Sequence, residues 1–180
     1  MRAFLPAGTA TQLSLHTNLR QAGDRLASLH VHPLEEVRRV AEGLAVLLVQ
    51  AYQPTLRACG EGRIVNMSSR AALGKPDRIV YSATKAGLIG LTRTLAMELG
   101  RDRITVNALG PGPIATELFT KSNPEGAPQT QRILNSIAVG RMGTPEDVAR
   151  AALFFLSPDN GFVTGQVLYI CGGTTQGVAP

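Results

Sequence analysis

The sequence predicts an α/β fold in which a parallel sheet is flanked by helices. Short apolar runs of strand length recur at Ile64 to Met67, Ile104 to Leu109 and Val167 to Ile170. Helix-period apolar stripes lie before and between them, at steps of three and four residues. Serines or Gly/Pro turns follow the strand ends, and open α/β sheets bind ligands beyond the carboxyl ends of their strands.

At 180 residues with 44% hydrophobic content, the chain is expected to be globular, with a sizeable core. No apolar run is long and uncharged enough for a membrane span, and the N-terminus lacks the basic-then-apolar pattern of a secretory signal. A cytoplasmic setting is expected. Cys59 and Cys171 form neither a disulfide framework nor a metal-ligand cluster. The net charge of +5 comes from dispersed basic residues with few aromatics, so no nucleic-acid interface is expected.

Residues 1–33 are poorly defined. Thr11 to Asn18 has a brief alternation compatible with a strand, and His30 and His32 lack further metal ligands nearby. From Leu34, the positions Leu34, Val37, Ala41, Leu44, Leu48 and Ala51 form an amphipathic stripe, with Pro54 expected to kink or end the helix. The strand from Ile64 ends in Ser68 and Ser69, and a helix is expected to begin near Tyr81. Its apolar stripe is Leu88, Leu91, Leu95 and Leu99, and Gly100 suits a left-handed C-cap. After the strand from Ile104 comes the turn Gly110-Pro111-Gly112-Pro113. The polar stretch from Glu117 to Ser136 reads as either an ordinary surface excursion or a mobile lid over a substrate. Thr144-Pro145-Glu146 marks another helix start, with Val148, Ala151, Ala152 and Phe155 on its buried face.

The chemistry centres on Gly62 to Lys85. Tyr81 and Lys85 are four residues apart and share one helix face. An ammonium beside a phenol stabilises the phenolate, bringing the group toward the range useful for acid-base catalysis. Ser69, or its neighbour Ser68, then becomes a hydrogen-bond donor to the same substrate oxygen. Taken alone, the pair reads first as an ordinary helix start with a solvated lysine, because a tyrosine four residues before a lysine is common.

This segment, GRIVNMSSRAALGKPDRIVYSATK, resembles the active-site half of the short-chain dehydrogenase/reductase family, in which a strand ending in Ser precedes a YxxxK helix. The likeness continues through ITVNALGPGPIAT, GRMGTPEDVA and FVTGQVLYICGG, from about Leu34 to Gly173. The closest likeness is to the bacterial 3-oxoacyl-ACP-reductase-like branch. The resemblance implies a partial Rossmann-like parallel sheet with the N-terminal βα units missing, residues 34–180 being the active-site portion. It also implies NAD or NADP as cofactor, a small carbonyl or alcohol substrate, and a homo-oligomer, dimer or tetramer.

By the same resemblance Ser69, Tyr81 and Lys85 are catalytic. Ser69 is preferred to Ser68 because a loop absorbs a deletion more readily than a buried strand absorbs a register shift. Tyr81, Lys85, Pro111, Gly112, Ile114 and Thr116 would face the nicotinamide and its ribose. Two departures stand out: Ala41 replaces the family's helix asparagine, and Cys171 replaces a frequent acidic residue. No GxxxGxG phosphate-binding turn occurs in the sequence; only Ala22-Gly23 of the family's NNAG turn is retained. Two functions follow from the resemblance: an oxidoreductase interconverting an alcohol and a carbonyl, or an inactive homologue acting only through subunit association.

Overall fold

The structure, a computed structural model, describes residues 49–176. The chain divides into two units, Met1–Pro54 and Thr55–Pro180. The expectations for Thr11 to Asn18, Ala22-Gly23, His30, His32, Ala41 and the start of the helix from Leu34 lie outside the described residues. Residues 49–58 are helical, so the helix runs on through Pro54 instead of ending there. A proline removes one donor from the ladder, and the helix closes further along, where the Cys59 amide donates to the Thr55 carbonyl at 3.1 Å.

Three strands form a parallel sheet in the order β1 (Gly62–Met67), β2 (Ile104–Pro111), β3 (Val167–Ile170). The register places Met67 opposite Leu109 and Pro111 opposite Ile170, so all three carboxyl ends lie at one end of the sheet. Central strand β2 is buried from Ile104 through Gly110, as its near-continuous apolar run requires. Two shorter expectations extend here: β1 begins at Gly62, and β2 continues to Pro111.

Helix α1 (Ile79–Leu99) packs against β2 and buries Lys85, Leu88, Thr92, Leu95, Ala96 and Leu99. Leu88, Leu95 and Leu99 are the expected stripe, whereas Leu91 is only half-buried and Thr92 takes the inward position. Thr92 is tolerated there because its hydroxyl donates to the Leu88 carbonyl at 2.7 Å and accepts from the Asn66 amide at 2.9 Å. Gly100 is not a left-handed cap: its φ of −59° continues a right-handed path into the 3-10 turn Gly100–Asp102. The chain reverses instead at Arg103, φ 59°, whose amide donates to the Gly100 carbonyl and whose side chain pairs with Glu61 at 2.8 Å.

The stretch after β2 folds into two short helices, α2 (Glu117–Ser122) and α3 (Pro128–Asn135). Helix α4 (Pro145–Leu156) starts as expected, with Thr144 and Asp147 forming a reciprocal capping box. Phe155 is its buried anchor, at 3% exposure, and the helix packs beneath all three strands.

Candidate active site

Parallel pairing gathers three segments at the carboxyl end of the sheet. Ser68 and Ser69 follow β1, Gly112 to Thr116 follow β2, and Cys171 to Thr175 follow β3. Two bonds extend the ladder past the strand ends and fix these exits: the Ser68 amide donates to the Leu109 carbonyl at 2.8 Å, and the Gly112 amide to the Ile170 carbonyl at 2.9 Å.

The N-terminal third of α1 is stitched to the end of β1 by two side chains pointing in opposite directions. The Ser68 hydroxyl donates to the Lys85 carbonyl at 2.8 Å, and the Lys85 ammonium donates to the Met67 carbonyl at 3.0 Å. Ser68 is 3% exposed and Lys85 6% exposed, so both polar groups are buried and bonded. Tyr81 lies one turn before Lys85 and is half-buried, with the Lys85 Nζ 5.7 Å from the centroid of its ring. At that distance the ammonium is attracted by the face of the phenol ring.

The two serines have different surroundings. Ser69 is half-buried; its Oγ accepts from the Ala71 amide at 3.1 Å and caps the 3-10 turn Arg70–Leu73. A hydroxyl that accepts in a cap keeps its proton for another partner. Among the described residues that proton has no acceptor.

The β2 exit is held by a second set of bonds. Ile114 pairs with Gly143 in an isolated parallel bridge; the Ala115 amide donates to the Gly143 carbonyl at 2.8 Å, and the Gly143 amide to the Pro113 carbonyl at 3.0 Å. Gly112 is needed for packing, because a Cβ there would stand 2.7 Å from the Cα of Cys171. Thr116 is exposed and caps α2, its Oγ1 accepting from the Phe119 amide at 3.3 Å, so like Ser69 it retains a hydroxyl proton. Beside this turn, Cys171 is buried and its Sγ lies 3.3 Å from the Thr175 hydroxyl. Burial alone would push the thiol up, but hydrogen bonding from Thr175 and nearby groups outweighs it and holds the thiol below its ordinary range.

Sequence reasoning missed the polar clamps beneath the site. Asn107, fully buried in β2, donates to the Val163 carbonyl at 2.8 Å and accepts from the Gln166 amide at 3.0 Å. The Thr164 hydroxyl accepts from the Val106 amide at 3.0 Å. These bonds lay residues 163–166 along β2 and set where β3 begins. The available signal was an asparagine inside each otherwise apolar strand, Asn66 in GRIVNM and Asn107 in ITVNALG. A side-chain amide at a buried strand position must find partners.

Among the described residues, no group of three or more His, Cys, Asp or Glu side chains could hold a metal, and no helix is long and apolar enough to cross a membrane.

A parallel sheet flanked by helices, with a serine-tipped strand joined to a Tyr-x-x-x-Lys helix, defines a class, and comparison with known proteins agrees. Residues 27–175 match the family described as enoyl-(acyl carrier protein) reductase. The chain belongs to the short-chain dehydrogenase/reductase family, in its 3-oxoacyl-ACP-reductase-like branch. It is 50% identical over 112 residues to the BbsD subunit of (2S)-[(R)-hydroxy(phenyl)methyl]succinyl-CoA dehydrogenase of Thauera aromatica, covering 62% of this chain and 44% of that protein. The solved structure of a 3-oxoacyl-[acyl-carrier protein] reductase from Brucella melitensis superposes with a TM-score of 0.61 at 37% identity, covering 70% of this chain and 47% of that one. A Beutenbergia cavernae protein, proposed to be an NAD(P)-dependent gluconate 5-dehydrogenase and solved with NADP at low occupancy, gives a TM-score of 0.72 at 32% identity. That match covers 81% of this chain and 60% of the other. The chain spans about half the length of the curated relatives it matches.

Proposed function

We propose that this chain carries the active-site half of an NAD(P)-dependent oxidoreductase that interconverts an alcohol and a carbonyl. The observation that carries the reading is the Tyr81–Lys85 pair, its ammonium 5.7 Å from the phenol ring and anchored to the tip of β1. Tyr81 is the general acid/base. Lys85 sets its ammonium beside the phenol ring, and Ser69 donates its remaining hydroxyl proton to the substrate oxygen. Ser68 is a positioning residue: its bond to the Lys85 carbonyl keeps α1 against the strand end.

The residues of the β2 exit suit the nicotinamide end of the cofactor. Thr116 offers a hydroxyl donor, Ile114 offers backbone groups on a strapped turn, and Pro111-Gly112 carry that turn away from the sheet. Lys85 would reach the ribose hydroxyls from below. When bound, the cofactor supplies the hydride, while this chain orients the carbonyl and delivers or removes a proton at the Tyr81 oxygen. A substrate of the carbonyl thioester class is favoured by two of the relatives, whose names specify a coenzyme A ester and an acyl-carrier-protein ester. Two or more copies of the chain are proposed to associate, since the Thauera relative is named as a subunit.

The reading is tested by titrating the 180-residue chain with NADH and NADPH and measuring reduction of acetoacetyl thioesters. The expectation is saturable cofactor binding, with turnover reduced roughly 10²-fold or more in Tyr81→Phe while cofactor affinity holds. Undiminished turnover in that variant would remove Tyr81 from the role. No cofactor binding by a folded chain would favour an inactive homologue that acts through association.

A further inference from the structure

The stretch GRMGTPEDVA, residues 140–149, has no part in the chemistry proposed above beyond starting α4. Its first five residues, 140–144, form a strap along the β2 exit. Gly143 pairs with Ile114 in the isolated bridge; its amide donates to the Pro113 carbonyl at 3.0 Å, and its carbonyl accepts from the Ala115 amide at 2.8 Å. A Cβ on Gly143 would stand 2.5 Å from the Ile114 Cδ1, so strap and turn meet backbone to backbone only because residue 143 has no side chain.

Both ends of the strap converge on one carboxylate. The Asp147 Oδ2 accepts from the Thr144 amide at 2.9 Å and from Arg141 at 2.7 Å, while its Oδ1 accepts from Arg141 at 3.3 Å and from Arg150 at 2.6 Å. The helix cap needs only the exchange between Thr144 and Asp147. Arg141 stands four residues before α4 begins, so its two-pronged bond adds nothing to the helix ladder and instead ties down the start of the strap. The same guanidinium donates to the Met142 carbonyl at 2.9 Å. Asp147 is 16% exposed, but Arg141 and Arg150 are 60% and 68% exposed, and pairs with such solvated cations contribute little to stability. What they fix is geometry: residues 141 and 144 are pinned on either side of Met142 and Gly143, and Gly143 is the residue that holds the turn.

We propose that Asp147 is a positioning residue for the nicotinamide end of the cofactor, acting through residues 140–144 as a brace that keeps residues 113–116 in one conformation. The inference rests on the oxidoreductase reading, which assigns Ile114 and Thr116 to the nicotinamide, and adds the group that holds them there. Without the carboxylate, the strap keeps its two backbone bonds to the turn but loses the pins at both of its ends. A surface segment held so lightly opens locally, and a cofactor that must order it on binding loses affinity.

The test reads native-state amide hydrogen exchange in the 180-residue chain without cofactor, and then NADPH affinity. In Asp147→Ala the Ala115 and Gly143 amides are expected to exchange roughly tenfold faster relative to the Gly112 amide, which bonds the Ile170 carbonyl outside the brace. NADPH should bind roughly tenfold more weakly, with kcat at saturating cofactor changed less. Asp147→Asn, whose carboxamide oxygen can still accept from the Thr144 amide, should recover part of both losses. Ile104→Val, a core change at the opposite end of β2, lowers stability without touching the brace and should show neither selective effect. Equal acceleration of all three amides in Asp147→Ala, or the same loss of NADPH affinity in Ile104→Val, would reduce Asp147 to an ordinary helix cap and overturn the proposal. Unchanged NADPH affinity in Asp147→Ala would overturn it as well. A wild-type chain that binds no NADPH would count against the oxidoreductase reading instead, and the exchange of Ala115 and Gly143 would still decide whether Asp147 holds the turn.

Discussion

Ser68 and Ser69 are neighbours in sequence but do different work, and substitution separates them. Ser68→Ala removes a buried bond to the Lys85 carbonyl, which is expected to cost about 1 kcal/mol of stability. Ser69→Ala removes a half-buried cap and the free hydroxyl proton, so it should lower kcat with a smaller effect on stability. Urea unfolding and steady-state kinetics on both variants check this; the reverse assignment of effects would make Ser68 the substrate donor. Lys85→Met removes the donor to the partly buried Met67 carbonyl, for an expected loss of about 1 kcal/mol of stability along with activity. The lysine was legible in the sequence from its place one turn after Tyr81. Its bond to the strand was not, because nothing in a YxxxK spacing says which carbonyl lies across from the helix.

At the scale of the element, α4 is the best test of how local chemistry sets a boundary. The Thr144 hydroxyl accepts from the Asp147 amide, and the Asp147 carboxylate accepts from the Thr144 amide at 2.9 Å. Thr144→Ala should destabilise the chain by about 1 kcal/mol, read as a lower urea midpoint. Asp147 also binds Arg141 and Arg150, at 2.7 and 2.6 Å. The Arg141 bond first, then the Thr144 amide and Arg150, hold its carboxyl well below the usual aspartate range. A folded-state pKa below the unfolded one gives stability that is fully present above the unfolded value, near 3.9, and is lost as pH falls toward the folded one. The stability gap between the wild-type chain and Asp147→Asn should therefore be constant above about pH 5 and close progressively below about pH 4. A gap that widened on acidification would contradict the assignment. This helix start was readable from Thr-Pro-Glu. The reversal after α1 was not: Gly100 looked like the left-handed residue, yet that conformation falls on Arg103, whose pairing with Glu61 lies across the turn.

For the molecule as a whole, the sheet holds the candidate site together through groups far from it. Asn107→Leu removes two part-buried bonds, to the Val163 carbonyl and from the Gln166 amide, at about 1 kcal/mol for each. Because that segment leads into β3, the variant should also weaken cofactor affinity at the neighbouring β2 exit, measured by NADPH titration of the folded protein. Gly112→Ala drives a methyl onto the Cys171 backbone and is expected to cost more stability than an average surface substitution.

By itself the sequence determined the α/β class, the three strands, the α4 start, the family and the serine, tyrosine and lysine at issue. Each of these is written in local periodicity or short spacing, where residues a few positions apart constrain one another directly. Only the tertiary structure decided which serine is buried, where Lys85 anchors, that Thr92 rather than Leu91 faces inward, and that Asn107 clamps the loop before β3. Those outcomes depend on partners such as Asn107 and Gln166, 59 positions apart, whose meeting is set by the parallel register of the sheet and by the need of every buried polar group for a bond.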